Sequence, residues 1–299
     1  MLRRILLASA GAIALSGAAF AADLPVRAPP PVYLPPPPPM WTGFYAGLNA
    51  GGIWSASNNV SLVSTGALGA GLTPLGVAVA NAFVNGANDR LGVGTSGFIG
   101  GGQVGYNFQW GPSWLVGLEA DIQGTTASAN RNVARAFAAP GGTILTTSLS
   151  SSRSLDYFGT VRGRIGFLVT PTLLIYGTGG LAYGGINANI FVAQTLVPGL
   201  GITGFPAAGG SFSNTRVGWT AGGGLEWLFT PNWSVKVEYL YFDLGSVQRT
   251  FGPLAVTVGA APLVTAFPAL RANFNGNIVR AGINYHFNWG VPAPVVAKY

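Results

Sequence analysis

The sequence has no cysteine, one histidine and very little charge. Without cysteine there can be no disulfide scaffold, thiolate metal site, cysteine nucleophile or lipid-bearing cysteine anchor. A single histidine excludes a multi-histidine metal centre. Only 8% of the 299 residues are charged, against about 25% in ordinary soluble domains. At 49% hydrophobic, the chain is also too apolar for ordinary disorder. Its 46 glycines lack a period of three, which excludes collagen.

A long helical hydrophobic run is missing too. The most apolar stretches after the N-terminus are Gly66–Val84 and Phe251–Leu270. Glycine, threonine and proline interrupt both, so they make poor bilayer helices. Residues 1–21 have the pattern of a secretory signal. Arg3 and Arg4 precede an apolar Ile5–Leu15 segment, and Ala19-Phe20-Ala21 is a small-x-small cleavage site. The apolar segment is short for a retained anchor. An exported apolar chain without a spanning helix points to a closed barrel, the other structure that satisfies its whole backbone inside a bilayer.

Residues 22–40 form a separate region. Pro29–Pro31 and Pro35–Pro39 favour an extended polyproline segment, which reads as a periplasmic spacer or a docking strip for the cell wall. From Trp41 to Trp289 the pattern has period two. Eight strands are predicted, at 41–54, 96–110, 114–124, 154–169, 173–190, 215–229, 233–245 and 276–288. Residues 290–299 would be a periplasmic tail.

Tight turns alternate with long loops. The turns are Gly111-Pro112-Ser113, Thr170-Pro171-Thr172 and Thr230-Pro231-Asn232, with their prolines 59 and 60 residues apart. Proline presets φ for a turn and cannot donate to a ladder. Short turns at one end and long loops at the other are the layout of an outer-membrane barrel, with the short turns periplasmic.

The two strand faces differ. One carries only apolar and aromatic side chains, such as Val104, Leu118, Val161, Leu225 and Val237. The other carries Glu119, Asp121, Arg162, Arg164, Glu226, Lys236, Glu238 and Arg280, together with Gln103, Asn107, Asn284 and His286. A soluble sandwich would turn its charges outward; here a polar lumen explains them better. Aromatics near the strand ends suggest two interfacial girdles. Trp41, Trp110, Trp114, Phe229, Trp233, Phe287 and Trp289 fall on the turn side; Trp54, Tyr157, Trp219 and Tyr241 fall on the loop side.

Turn geometry fixes part of the register. A Thr230–Asn232 loop sets Glu226 opposite Lys236, which predicts an ion pair. By the same logic Gly105 faces Glu119, Gln103 faces Asp121, and Arg164 faces Thr178. Glu119 and Asp121 could also meet Arg162 and Arg164 on the next strand. An eight-stranded lumen is one that side chains can fill. Paired charges would make it a plug, and a charge ladder could instead line a narrow ion path.

Several segments resemble small outer-membrane barrel proteins of alphaproteobacteria, the immunogenic or porin-family proteins related to opacity and OmpA-type barrels. They are Trp41-Thr-Gly-Phe-Tyr-Ala-Gly47, Gly117-Leu-Glu-Ala-Asp-Ile122, Gly159-Thr-Val-Arg-Gly-Arg-Ile-Gly166 and Leu174-Ile-Tyr-Gly-Thr-Gly-Gly-Leu-Ala-Tyr-Gly184. Gly218-Trp-Thr-Ala-Gly-Gly-Gly-Leu-Glu226, Lys236-Val-Glu-Tyr-Leu-Tyr-Phe-Asp-Leu-Gly245 and Arg280-Ala-Gly-Ile-Asn-Tyr-His-Phe287 complete the set. The resemblance implies an all-β, eight-stranded antiparallel up-and-down transmembrane barrel. It further implies a structural or antigenic role in the envelope of a Gram-negative bacterium, and insertion by the outer-membrane assembly machinery. Such barrels usually end on an aromatic residue; here either Phe287 or Tyr299 could serve.

No enzyme chemistry and no cofactor is expected. His286 lies at the periplasmic end of the last strand, and the long loops contain neither histidine nor tyrosine to ligate haem. Gly100–Gly105 matches a dinucleotide motif but lies within a strand. Asn59-Val-Ser61 matches a glycosylation sequon in the wrong kind of cell. The loops and their edges are mainly basic, with Arg90, Arg131, Arg135, Arg153, Arg216, Arg249 and Arg271 against three aspartates. Basic groups above the lipid suit lipopolysaccharide phosphates. Nucleic acid is not an expected partner, because the arginines are dispersed. The apolar loop segments Leu75–Val84 and Leu254–Leu270 would be sticky if exposed. They could form a cap, continue the strands, or make an adhesive surface. The expected role is therefore an envelope protein with a plugged lumen, with a narrow channel and a surface adhesin as alternatives.

Overall fold

The computed structural model describes residues 40–197, 206–258 and 261–287. The proposed signal, nearly all of the proline-rich segment, Trp289 and the C-terminal tail lie outside these residues. Among these residues are twelve strands and one helix: β1 (Gly43–Ser55), β2 (Asn59–Leu68), α1 (Pro74–Gly86), β3 (Asp89–Gly92), β4 (Ser96–Trp110), β5 (Trp114–Thr125) and β6 (Ser128–Ala139) come first. They are followed by β7 (Thr143–Thr170), β8 (Leu173–Val197), β9 (Ala207–Thr230), β10 (Trp233–Thr250), β11 (Leu254–Val258) and β12 (Ala261–Phe287).

Eight of these strands close a ring in the order β1-β4-β5-β7-β8-β9-β10-β12, with β12 returning to β1. Every pairing in it is antiparallel. Closure removes the free edges that an open sheet would expose. Alternation places Leu48, Leu118 and Val217 outward, each about two-thirds exposed, while Glu226 and Asn284 face inward and are fully buried. This inverts the arrangement of a soluble protein and suits a lipid surround.

The turn registers follow from the local chemistry. Gly111 takes φ +65° in the first turn, a conformation that costs glycine little. The other two turns are tighter than predicted. Thr170 pairs with Leu173 and Thr230 with Trp233, and a bulge next to each turn absorbs the extra residue. Beyond the bulges, Arg164 faces Thr178 and Glu226 faces Lys236. In the first hairpin Gln103 faces Asp121 and Gly105 faces Glu119.

At the other end the chain is more regular than a set of loops. β7 runs 28 residues, β8 25 and β12 27, well past the outward-facing ring of Trp54, Trp219 and Tyr241. There β1, β4 and β5 stop, and β6 pairs with β7 while β2 pairs with β12 and β3. The extended walls enclose an apolar core that includes Val60, Leu62, Leu149, Ile190, Val192 and Leu270. Helix α1 closes it. Thr73 caps the helix by accepting from the Gly76 amide at 3.2 Å, and Pro74 opens it. Val79, Ala80 and Phe83 share one face and pack on Leu145, Leu196 and Val264. Gln194 Nε2 fixes the helix end by donating to the Phe83 carbonyl at 2.9 Å. At 13 residues, α1 is a lid. No helix among the described residues is long and apolar enough to cross a membrane, which says nothing about crossing by strands.

Candidate functional site

The lumen is the place where this chain concentrates its chemistry, and side chains occupy it in three layers. At the turn end sits an apolar layer of Trp41, Leu115, Leu168, Leu174, Tyr176 and Leu228. Trp41 lies across the mouth, 1% exposed, and its indole N–H donates to the Pro171 carbonyl at 2.9 Å. This corrects the girdle reading of Trp41. Parity along β1 turns positions 41, 43 and 45 inward, so its aromatic bulk fills the lumen instead of meeting lipid. Trp110, Trp114, Phe229 and Trp233 do face outward at this end, from 41% to 72% exposed. Phe287 lies on the same outward face, with its ring 5.1 Å from Tyr285.

Above Trp41 comes the polar layer. All eight charged residues predicted for the lumen are at least 95% buried. Arg162 donates to Glu119, to Asp121 at 3.1 Å and to Glu238 at 2.9 Å. Arg280 donates to Asp121 at 2.8 Å and to Glu238 at 2.6 Å. Arg164 donates to Glu226 at 2.6 Å. Lys236 holds both oxygens of Glu119 at 2.9 Å. The four carboxylates and four cations cancel, as burial of charge requires.

The expected Glu226–Lys236 ion pair is not formed, although the two residues are opposite in register. Glu226 is already saturated. One oxygen accepts from Arg164, and the other accepts from Ser234 Oγ at 2.6 Å and Asn284 Nδ2 at 2.7 Å. Lys236 therefore crosses the lumen to Glu119. β5 and β10 stand diametrically opposite in the ring, so this pair spans the whole lumen. Arg162 to Glu238 and Arg280 to Asp121 also cross it, each between walls three strands apart. Glu119–Arg162 and Glu238–Arg280 are the two pairs that lie side by side on neighbouring strands.

Two tyrosines join the network where the polar pattern gave no signal. Tyr45 Oη donates to Glu119 at 2.7 Å and accepts from Arg164 at 3.0 Å. Tyr176 Oη donates to Glu238 at 3.1 Å, and Arg164 lies over its ring at 4.4 Å. Glycine makes room for both rings. A Cβ at Gly105 would stand 2.4 Å from the Tyr45 ring, and one at Gly224 2.9 Å from that of Tyr176. Strand parity would have placed both tyrosines inside: Tyr45 is opposite His286 across β1–β12, and Tyr176 is two residues from Leu174.

Ser234 Oγ, His286 Nε2 and Glu226 also meet in this layer. The same imidazole nitrogen faces the hydroxyl at 2.9 Å and the carboxylate at 3.5 Å. A nucleophile relay needs the base to hold its acid through the other nitrogen. The ring is also covered by Trp41 at 5.6 Å and Tyr45 at 5.5 Å. Among the described residues no group of three or more His, Cys, Asp or Glu could hold a metal ion.

The third layer is apolar: Ile53, Ile99, Phe158, Leu240, Phe242 and Ile278, with the two phenylalanine rings 4.9 Å apart. It continues into the core of the extended walls.

The loop arginines differ among themselves. Arg90, Arg131, Arg249 and Arg271 are exposed. Arg135 pairs with Asp89 at 2.6 Å and ties β6 to β3. Arg249 lies over the Phe212 ring at 5.3 Å, and Arg216 donates to the Ser246 carbonyl at 2.9 Å; both bridge the unpaired upper parts of β9 and β10. Arg153 is a correction. It is 4% exposed and points into the core, so it cannot reach a lipid phosphate.

A closed antiparallel ring with an apolar exterior and a charge-paired interior defines a transmembrane β-barrel. A family profile described as an outer membrane protein beta-barrel domain matches residues 7–287, and the chain belongs to that family. It is 31% identical over 297 residues to the 31 kDa outer-membrane immunogenic protein of Brucella melitensis, covering 96% of this chain and 100% of that protein. It is 30% identical over 178 residues to the 22 kDa outer membrane protein of Rhizobium leguminosarum, covering 55% of this chain and 65% of the other. Among solved structures, OprG of Pseudomonas aeruginosa aligns over 82% of this chain and 97% of its own, at 9% identity and a TM-score of 0.36. The protein is an outer-membrane protein of a Gram-negative bacterium, similar to an outer-membrane immunogenic protein of Brucella.

Proposed function

We propose that the protein is a non-conducting, non-enzymatic envelope barrel that stabilises the outer membrane and presents a folded cap at the cell surface. The observation that carries this reading is the lumen: ion pairs tie opposing walls together between two apolar layers. A narrow channel would need a continuous wet path with charges free to exchange partners. Here each lumen carboxylate meets at least one cation and at least one further donor. The cap reading rests on α1 and the extended strands, which bury most of the apolar loop residues.

Lipopolysaccharide is the proposed surface partner. Arg90, Ser61, Arg271 and Gln248 are consecutive partners across β3, β2, β12 and β10, so they share the outward face above the Trp54 ring. Two exposed guanidinium groups flanking a hydroxyl suit phosphate oxygens. Assembly by the barrel-insertion machinery, and wall contact through residues 22–40, complete the proposal.

The test is a deletion strain complemented with the full-length gene. Sensitivity to detergents and to large antibiotics is expected on deletion. Rescue is expected from the wild type and is reduced for Arg90→Ser with Arg271→Ser. A deletion strain with intact barrier function and slowed small-solute uptake would overturn the structural reading.

A further inference from the structure

Arg153 is a buried cation that the barrel network does not use. It lies on β7 four residues beyond Tyr157, on the loop side of the outer aromatic ring, in the part of the strand that extends above the membrane-spanning ring. Its side chain points into the apolar core, with the guanidinium 4.6 Å over the Phe274 ring. Nη1 donates to the Val93 carbonyl at 3.2 Å and Nη2 to the Asn273 carbonyl at 2.7 Å. Its Nε is buried with no hydrogen-bond partner among the described residues.

Charge accounting leaves this arginine alone. Seven of the eight acids lie among the described residues. Glu119, Asp121, Glu226 and Glu238 are held in the lumen. Asp89 is taken by Arg135, Asp156 accepts from Ser154 and Asn187, and Asp243 accepts from the Gly245 amide. Neutral partners alone leave the full positive charge in an apolar setting, which costs several kcal/mol in proteins. Burial accordingly pushes the Arg153 guanidinium down to about 10.

A cavity adjoins it. About 20 Å³ of space is lined by Arg153, Ser55, Thr95, Asn275, Phe242 and Phe274, with no carboxylate in the wall. Such a volume takes one particle of about the size of a water molecule. A single water would satisfy Nε but leave the charge. A small anion would do both.

We propose that Arg153 holds one small monovalent anion of the halide class in this cavity, beneath the surface cap. The site is set where β1, β4 and β5 end and the extended walls begin. It would thus join the barrel to its cap by electrostatics where the β-ladder is interrupted. Tetrahedral oxyanions are too large for it.

The test uses the full mature chain refolded in detergent. Its thermal midpoint is measured as chloride replaces gluconate at constant ionic strength. The midpoint is expected to rise saturably by several degrees with chloride or bromide and not with sulfate. In Arg153→Met the chloride dependence is expected to vanish, while the gluconate midpoint matches or exceeds the wild type. Arg153→Lys should keep a weaker dependence. Crystals of the wild type grown in bromide should show anomalous density beside Nε, a readout that survives if the methionine variant fails to fold. A wild-type midpoint indifferent to chloride, an Arg153→Met variant with the same dependence, or bromide crystals without density at Nε would overturn the proposal. Those outcomes would assign the charge to the two carbonyls and the Phe274 ring alone.

Discussion

At the scale of single residues, register and partnership are separate facts. Glu226 and Lys236 are opposite each other, yet each bonds elsewhere. Double-mutant cycles make the difference measurable. Removing one member of a buried pair costs about 3–5 kcal/mol, because the other is left uncompensated. Arg164→Met with Glu226→Gln is therefore expected to show a coupling above about 1 kcal/mol in urea unfolding from vesicles, and Lys236→Met with Glu119→Gln the same. Glu226→Gln with Lys236→Met should be close to additive. A larger coupling for that last pair would restore the neighbour pairing. Turn length and alternation made the faces and hairpin registers legible. They could not show which chord across the ring each long side chain takes, since sequence specifies neighbours and not diameters. Tyr45 and Tyr176 escaped notice for a related reason: a tyrosine suits either a lipid girdle or a wet interior, and only parity separates the two.

Elements reveal where local pattern was outweighed by packing. Trp41 reads as a girdle tryptophan because it begins the first strand next to the lipid boundary. Its place is instead the lumen mouth, where the indole N–H finds the Pro171 carbonyl. Trp41→Ala is expected to destabilise the barrel by about 3–5 kcal/mol, the usual cost of deleting a buried aromatic. The loss is read as a lower temperature for the shift in gel mobility. A loss under 1 kcal/mol would mean the ring is peripheral. On the far side, the stretch from 143 to 153 alternates weakly, because serine and threonine fill positions that apolar residues could have marked. It therefore passed for a loop, and Arg153 for a solvated loop charge. Helix α1 did carry a signal in Thr73-Pro74, a cap residue followed by proline in the first turn. Extended strands bonded on both sides resist proteases that need a flexible segment. Trypsin on intact cells is expected to leave the bond after Arg153 intact even after long digestion. Rapid cleavage there would contradict the folded cap.

For the whole molecule, one chain builds two cores of opposite logic. Within the membrane, charges face inward and cancel, and apolar side chains face lipid. Above it, apolar side chains turn inward beneath α1, as in a soluble protein. The change occurs where β1, β4 and β5 end and Ile53, Phe158 and Phe242 close the lumen. The sealed lumen is thus the central claim, and ion conductance tests it most directly. The refolded mature protein is placed in a planar bilayer beside Glu226→Gln and Arg164→Gln, with folding confirmed by heat-modifiable mobility. A silent bilayer is expected for the wild type, because three layers of side chains would have to part before an ion could pass. Reproducible conductance steps from the wild type, altered in size by the two lumen variants, would contradict the sealed barrel and make the charge ladder an ion path.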